Sequence, residues 1–188
     1  MASLALAGLA ACGQSKPQFK SIDLTGADYA KDFQLTDQNG QARSLKDFRG
    51  KLVVLFFGFT QCPDVCPTTL TELAQAKKLL GPDGAKLQGI FVTVDPKRDT
   101  PEVLKAYMAN FDPGFLALRG TPEQLAATAK DFKVYFKKVD GKTPGSYSMD
   151  HSAASYVYDT QGKLRLYTRY SSGAQALASD LRLLLQAS

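Results

Sequence analysis

The chain has 188 residues, enough for one domain with some extra, and its 44% hydrophobic residues can build a packed core. Its net charge of +5 is scattered along the chain, with no basic stripe or stacking-aromatic motif. Composition therefore gives no sign of a nucleic-acid binder and leaves an acidic partner surface open. No apolar run reaches the roughly 18 residues that a membrane-spanning helix needs.

"LALAGLAA", Leu4 to Ala11, is a short apolar segment ending in small residues, and Cys12 follows at once, as at the end of a secretory signal. The tetrad Leu9, Ala10, Ala11 and Cys12 resembles a bacterial lipobox, although no Lys or Arg lies between Met1 and Leu4. The expectation is a signal segment over 1–11, a lipid anchor at Cys12 and a place on the periplasmic side of a bacterial membrane. Cys62 and Cys66 then remain as the thiols, in a compartment where disulfides persist. Residues 12–31 are polar and without clear periodicity, which predicts a flexible tether and a single domain over 32–188.

"FQLTDQNGQARSL", Phe33 to Leu45, carries Asn39-Gly40 between two short alternating segments and predicts a hairpin. "KLVVLFFGF", from Lys51, is a nearly unbroken apolar run of strand length, the pattern of a strand buried on both faces. From Pro67 the period changes to that of a helix through Leu70, Leu73, Ala74, Leu79 and Leu80, ended by Gly81-Pro82. "LQGIFVTVD", Leu87 to Asp95, is a second buried strand. The helix after it has Thr100 as N-cap and Pro101 at its first position. A short strand near Phe115 to Leu118 precedes another helix with the same Thr-Pro-Glu start at Thr121. "SYVYD" and "LRLYTRY" flank a turn at Thr160 to Lys163, and "GAQALASDLRLLL" closes the chain as an amphipathic helix. Strands alternating with helices predict an α/β fold, with a central, partly parallel sheet flanked by helices.

Cys62 and Cys66 fall where the central strand gives way to its helix, at the edge of the sheet where open α/β folds bind ligands. A helix N-terminus favours the thiolate, and with it both nucleophilicity and metal affinity. Redox pairs on such folds usually have two intervening residues; here Pro63, Asp64 and Val65 intervene. The pair is open to three readings: a structural disulfide, a redox dithiol, or two thiolate arms of a metal site. Two thiolates do not fill a tetrahedral zinc site, so a soft ion of low coordination number, Cu(I) first, suits them better. The single histidine, His151, is the natural third donor if its strand lies beside the cysteine-bearing one. Met149 is the other soft candidate. Asp95, Arg98 and Asp99 sit at the end of the neighbouring strand, as a brace for the cysteine loop, a docking surface, or simply a turn and a helix start. Phe59 is the aromatic placed to shield a metal from water.

Three motifs in this order, "CPDVCP" (Cys62 to Pro67), "DPKRDTP" (Asp95 to Pro101) and "DHS" (Asp150 to Ser152), resemble the Sco/SenC family of copper-binding proteins of cytochrome c oxidase assembly. The resemblance runs from about Phe33 to the last helix. It implies a thioredoxin-like fold with an extra hairpin inserted over Lys133 to Met149, and Cys62, Cys66 and His151 as ligands of Cu(I) and also Cu(II). Asp150 would tune the site from beside the histidine. The implied partner is subunit II of cytochrome c oxidase, at whose CuA site the family delivers copper, reduces the cysteine pair, or does both. Other periplasmic copper chaperones or thiol reductants are further implied partners.

Overall fold

The structure, a computed structural model, describes residues 17–187. The expected hairpin forms from β2 (Leu35–Asp37) and β3 (Ala42–Arg43), after a first short strand β1 (Ile22–Asp23). Gly40 takes a positive φ of 80° in its turn, where any other residue is strained. The buried side chain of Asp37 clamps that turn, accepting from the amides of Asn39 and Gln41 and from Arg43. The chain then runs β4 (Leu52–Gly58), α1 (Val65–Leu79), β5 (Leu87–Thr93), α2 (Pro101–Ala109), β6 (Leu116–Arg119) and α3 (Pro122–Asp131). A hairpin of β7 (Phe136–Asp140) and β8 (Tyr147–His151) follows, then β9 (Ser155–Tyr158), β10 (Leu164–Thr168) and α4 (Ala174–Gln186).

Eight strands form one mixed sheet in the order β1-β10-β9-β4-β5-β6-β2-β3. β4, β5 and β6 are parallel, and β9 lies antiparallel beside β4, with Val54 opposite Val157. Every residue of β4 is buried. Leu52, Val54 and Phe56 face a cluster made with α1, α2 and α4, while Val53, Leu55 and Phe57 face one made with α3 and the N-terminal loops. This two-faced burial is why the strand reads as an unbroken apolar run. It is the expected α/β, thioredoxin-like arrangement. The Thr100 and Thr121 side chains cap α2 and α3 as their sequences predict, the second in a full capping box with Gln124.

Two expectations are corrected. The stretch expected as tether is built into the fold from Phe19 onward, where the Phe19 side chain packs against the core. The amides of Lys20 and Ser21 donate to the buried Asp180 carboxylate at 2.7 and 2.8 Å, Ile22 and Asp23 pair with β10, and Ala30 is fully buried. Backbone groups make most of these contacts, so polar side chains along the segment conceal them. Helix α1 also begins two residues before Pro67. An amide in the first helical turn has no intrahelical acceptor, so proline is tolerated there. Cys12 lies outside the described residues. Among the described residues, no helix is long and apolar enough to cross a membrane.

Candidate metal centre

The two cysteines leave β4 by different routes. Cys62 sits in a tight turn, its amide donating to the carbonyl of Phe59, and is half-buried. Cys66 occupies the first turn of α1 and is fully buried against the sheet. Its seat depends on Gly58, the last residue of β4. A methyl group there would lie 2.5 Å from Cys66 Sγ and 2.7 Å from Phe91 Cε2. Sequence reading missed Gly58, although a lone glycine in an apolar strand signals a close approach of some kind.

His151 arrives from the far end of the chain because β9 pairs with β4. It ends strand β8, opposite Phe136, and so belongs to the inserted hairpin, which the sequence had placed wholly before it. Its Nδ1 lies 2.9 Å from the carbonyl oxygen of Ser152. A carbonyl only accepts, so Nδ1 carries the proton and neutral imidazole presents the bare Nε2 lone pair on its other side. That Nε2 is 3.7 Å from Cys66 Sγ. The ring of Phe59 meets the imidazole edge-on, with centroids 5.9 Å apart, and closes off one side. The ligand atoms of Cys62, Cys66 and His151 all lie within 4.8 Å of one another, the one such cluster among the described residues.

The two thiols are electrostatically unequal. The hydrogen bond from Cys66 and the backbone amides of Asp64 and Cys66 at the helix start hold Cys62 down to about 5, against the burial that opposes them. Donating that bond to Cys62, together with burial, pushes Cys66 far above the ordinary thiol range. At neutral pH the pair is a half-exposed thiolate beside a buried, protonated thiol.

The "DPKRDTP" turn braces both approaches. The buried Asp99 carboxylate accepts from the amide and hydroxyl of Thr60 and from the Thr93 hydroxyl, fixing the chain two residues before Cys62. Arg98 pairs with Asp95 and donates through Nη1 to Gln61 Oε1 at 3.0 Å and to the Tyr147 carbonyl at 2.8 Å. Of the remaining candidates, Met149 packs against the core one pleat before His151. Asp150 is exposed, and strand alternation turns it to the face opposite His151. Tyr147, absent from the sequence-derived candidates, has no local signal because its role depends on where the hairpin lands.

The SCO1/SenC family model matches residues 23–186. The chain belongs to the SCO1/SenC family. It is 40% identical over 133 residues to a SCO2-like protein of Rickettsia felis, covering 70% of this chain and 65% of that protein. The structure resembles copper-bound ScoI of Bradyrhizobium japonicum, with 42% identity, a TM-score of 0.74, and coverage of 81% of this chain and 97% of that one. It also resembles a SCO1/SenC family lipoprotein of Bacillus anthracis, at 28% identity and a TM-score of 0.69, covering 82% and 93% of the two chains.

Two sulfurs and one imidazole nitrogen suit a soft ion, and three donors leave the site short of the four-ligand shell of structural zinc. The donor set therefore fits copper.

Proposed function

We propose that this chain is a copper metallochaperone that binds one copper ion through Cys62, Cys66 and His151 and assists assembly of the CuA site of cytochrome c oxidase subunit II. The observation that carries the reading is the convergence of the three donor atoms within 4.8 Å, with His151 Nδ1 bonded so that Nε2 faces the thiols. The copper-bound relative supports the choice of metal. Copper is cargo here. Cys62, half-exposed and anionic, receives it first. Cys66 must give up its proton to become the second thiolate, so loading releases a proton to solvent. A site with three ligands lets an incoming thiolate bind before a departing one leaves, which suits transfer. Location on the periplasmic side of a membrane, held by a lipid on Cys12, belongs to the same proposal and draws support from the lipoprotein relative.

The test is anaerobic Cu(I) titration against a competing chelator. One tight equivalent is expected, clearly weakened in His151→Ala; equal affinity in that variant would refute the three-ligand site.

The thiol asymmetry favours a second reading, reduction of the cysteine pair of subunit II. The Cys62 thiolate attacks the partner disulfide, forming a mixed disulfide and expelling one partner thiolate. Deprotonated Cys66 then attacks Cys62 Sγ, releasing the second partner thiolate and leaving the Cys62–Cys66 disulfide. Two electrons pass to the partner, and an external dithiol must restore the pair. Copper-free reduced protein should exchange rapidly with an oxidised subunit II peptide, with or without His151; slow exchange at every pH rules this reading out.

A further inference from the structure

The hairpin that carries His151 is a two-stranded sheet of its own, separate from the eight-stranded one. A lone two-stranded hairpin is marginal in water, so its position depends on what it rests against. Phe136 and Met149 pack on the core, but apolar packing is non-directional and leaves the hairpin free to slide or tilt. Directional contacts come from the "DPKRDTP" turn and converge on Tyr147, four residues before His151. Arg98 donates to the Tyr147 carbonyl, its guanidinium carbon stacks 3.6 Å from the centre of the Tyr147 ring, and the Tyr147 hydroxyl donates to Asp95 Oδ1 at 3.0 Å. The same Nη1 bonds Gln61, the neighbour of Cys62. Arg98 itself is held in place by its ion pair with Asp95, whose carboxylate is 5% exposed.

We propose that Arg98 is a positioning residue for the metal centre: one guanidinium ties the Cys62-bearing loop to the His151-bearing hairpin and sets the register in which the imidazole meets the thiols. This rests on the reading of Cys62, Cys66 and His151 as copper ligands and adds the part that keeps the third ligand in reach. The geometry needs arginine. A planar fork bonds two segments while its face covers an aromatic ring, and the compact ammonium of lysine cannot do both. Tyr147 is the matching half of the joint, since it supplies a carbonyl, a ring and a hydroxyl to the same pair of charged residues.

Arg98→Lys keeps the charge and removes the fork, so it separates positioning from electrostatics. In the copper-free, reduced protein, amides over residues 147–151 should exchange at least tenfold faster than in the parent, while those of β4 and β5 are unchanged. Cu(I) affinity of the full chain should fall by about 10- to 100-fold, the usual cost of losing a group that orients a metal ligand. The same change made in the His151→Ala background should cost almost nothing further, because the two residues act through one contact. Tyr147→Phe keeps the stack and the carbonyl, and should give a smaller loss. The proposal is overturned if Arg98→Lys weakens copper binding equally with and without His151, or if faster exchange spreads to β4, which would make Arg98 a general stabiliser. If the parent binds no copper tightly, the ligand reading falls, and the exchange comparison, which contains no metal, still decides the positioning role.

Discussion

Gly58→Ala tests whether the end of β4 is shaped around the buried thiol. The added methyl would sit 2.5 Å from Cys66 Sγ and 2.7 Å from Phe91 Cε2, about 1 Å closer than ordinary van der Waals contact. Gly58 does not take a positive φ, so the cost is steric alone. Neither neighbour yields easily. Phe91 is fully buried between Phe56 and Tyr107, and Cys66 is fixed in the first turn of α1. Overpacking of this kind costs about 1–3 kcal/mol, which lowers Tm by roughly 3–10 °C in a domain of this size.

Gly89→Ala is the matched control. Its methyl would meet Phe115 Cδ1 at 2.7 Å and Leu73 Cδ2 at 2.9 Å, in the same apolar cluster but with no cysteine among its nearest contacts. Thermal unfolding of the reduced, copper-free proteins should show comparable losses for the two variants. Anaerobic chelator competition should then separate them, with Cu(I) affinity falling about tenfold or more in Gly58→Ala and near parent in Gly89→Ala. Equal copper affinity in both variants at equal loss of stability would refute a role for Gly58 in seating Cys66 as a proposed ligand.

The thiol asymmetry predicts that Cys62 is alkylated first by iodoacetamide, at a rate that rises through pH 5 and levels off above it, with Cys66 protected; peptide mapping checks this, and a rate still climbing at pH 8 contradicts it. Asp99→Asn replaces one of the two accepting oxygens with a donor, disrupting part of the contacts from Thr60 and Thr93, and should lower stability by about 1–3 kcal/mol in urea unfolding. Burial raises the Asp99 carboxyl, so its ionisation opposes folding. The parent's advantage over this variant should be largest below its unfolded value and shrink as pH rises through the raised folded one; a gap that widens with pH breaks the argument. Thr121→Ala removes the α3 cap and should cost about 1 kcal/mol by the same measurement, with Thr121→Ser restoring most of it.

What the sequence made legible follows a physical division. Residues whose role is written in local pattern were readable: the unbroken apolar run of β4, the Asn39-Gly40 turn, and the threonine caps of α2 and α3. The cysteine loop was readable too, because the end of a parallel strand is a local feature with a general chemical consequence. His151 was reachable because it is the single histidine and because β9 could be expected to pair with β4, bringing a residue 85 positions away to Cys66. The rest depends on tertiary coincidence. The segment from Lys20 to Asp23 looks like linker until Asp180 and β10 supply partners for its backbone. Gly58 reveals its purpose only when the neighbouring side chains are in place. Tyr147 gains its role from where the hairpin docks.

The motif is nearly symmetrical, a proline after each cysteine, yet the fold makes its halves different. Three intervening residues allow one cysteine to stay in the turn while the other enters the helix and is buried. A buried, protonated Cys66 is a poor first ligand and a poor first nucleophile. It becomes competent once a bound cation or a mixed disulfide on Cys62 removes the largest cause of its raised proton affinity, the hydrogen bond it donates to that thiolate. In either proposed chemistry, capture therefore begins at Cys62, and Cys66 commits the pair afterwards. The two chemistries part at His151. In the proposed site its Nε2 supplies the third metal donor, whereas disulfide exchange needs only the sulfurs, so the groups that hold the hairpin against the cysteine loop would set how much metal affinity is added to a dithiol that is already reactive.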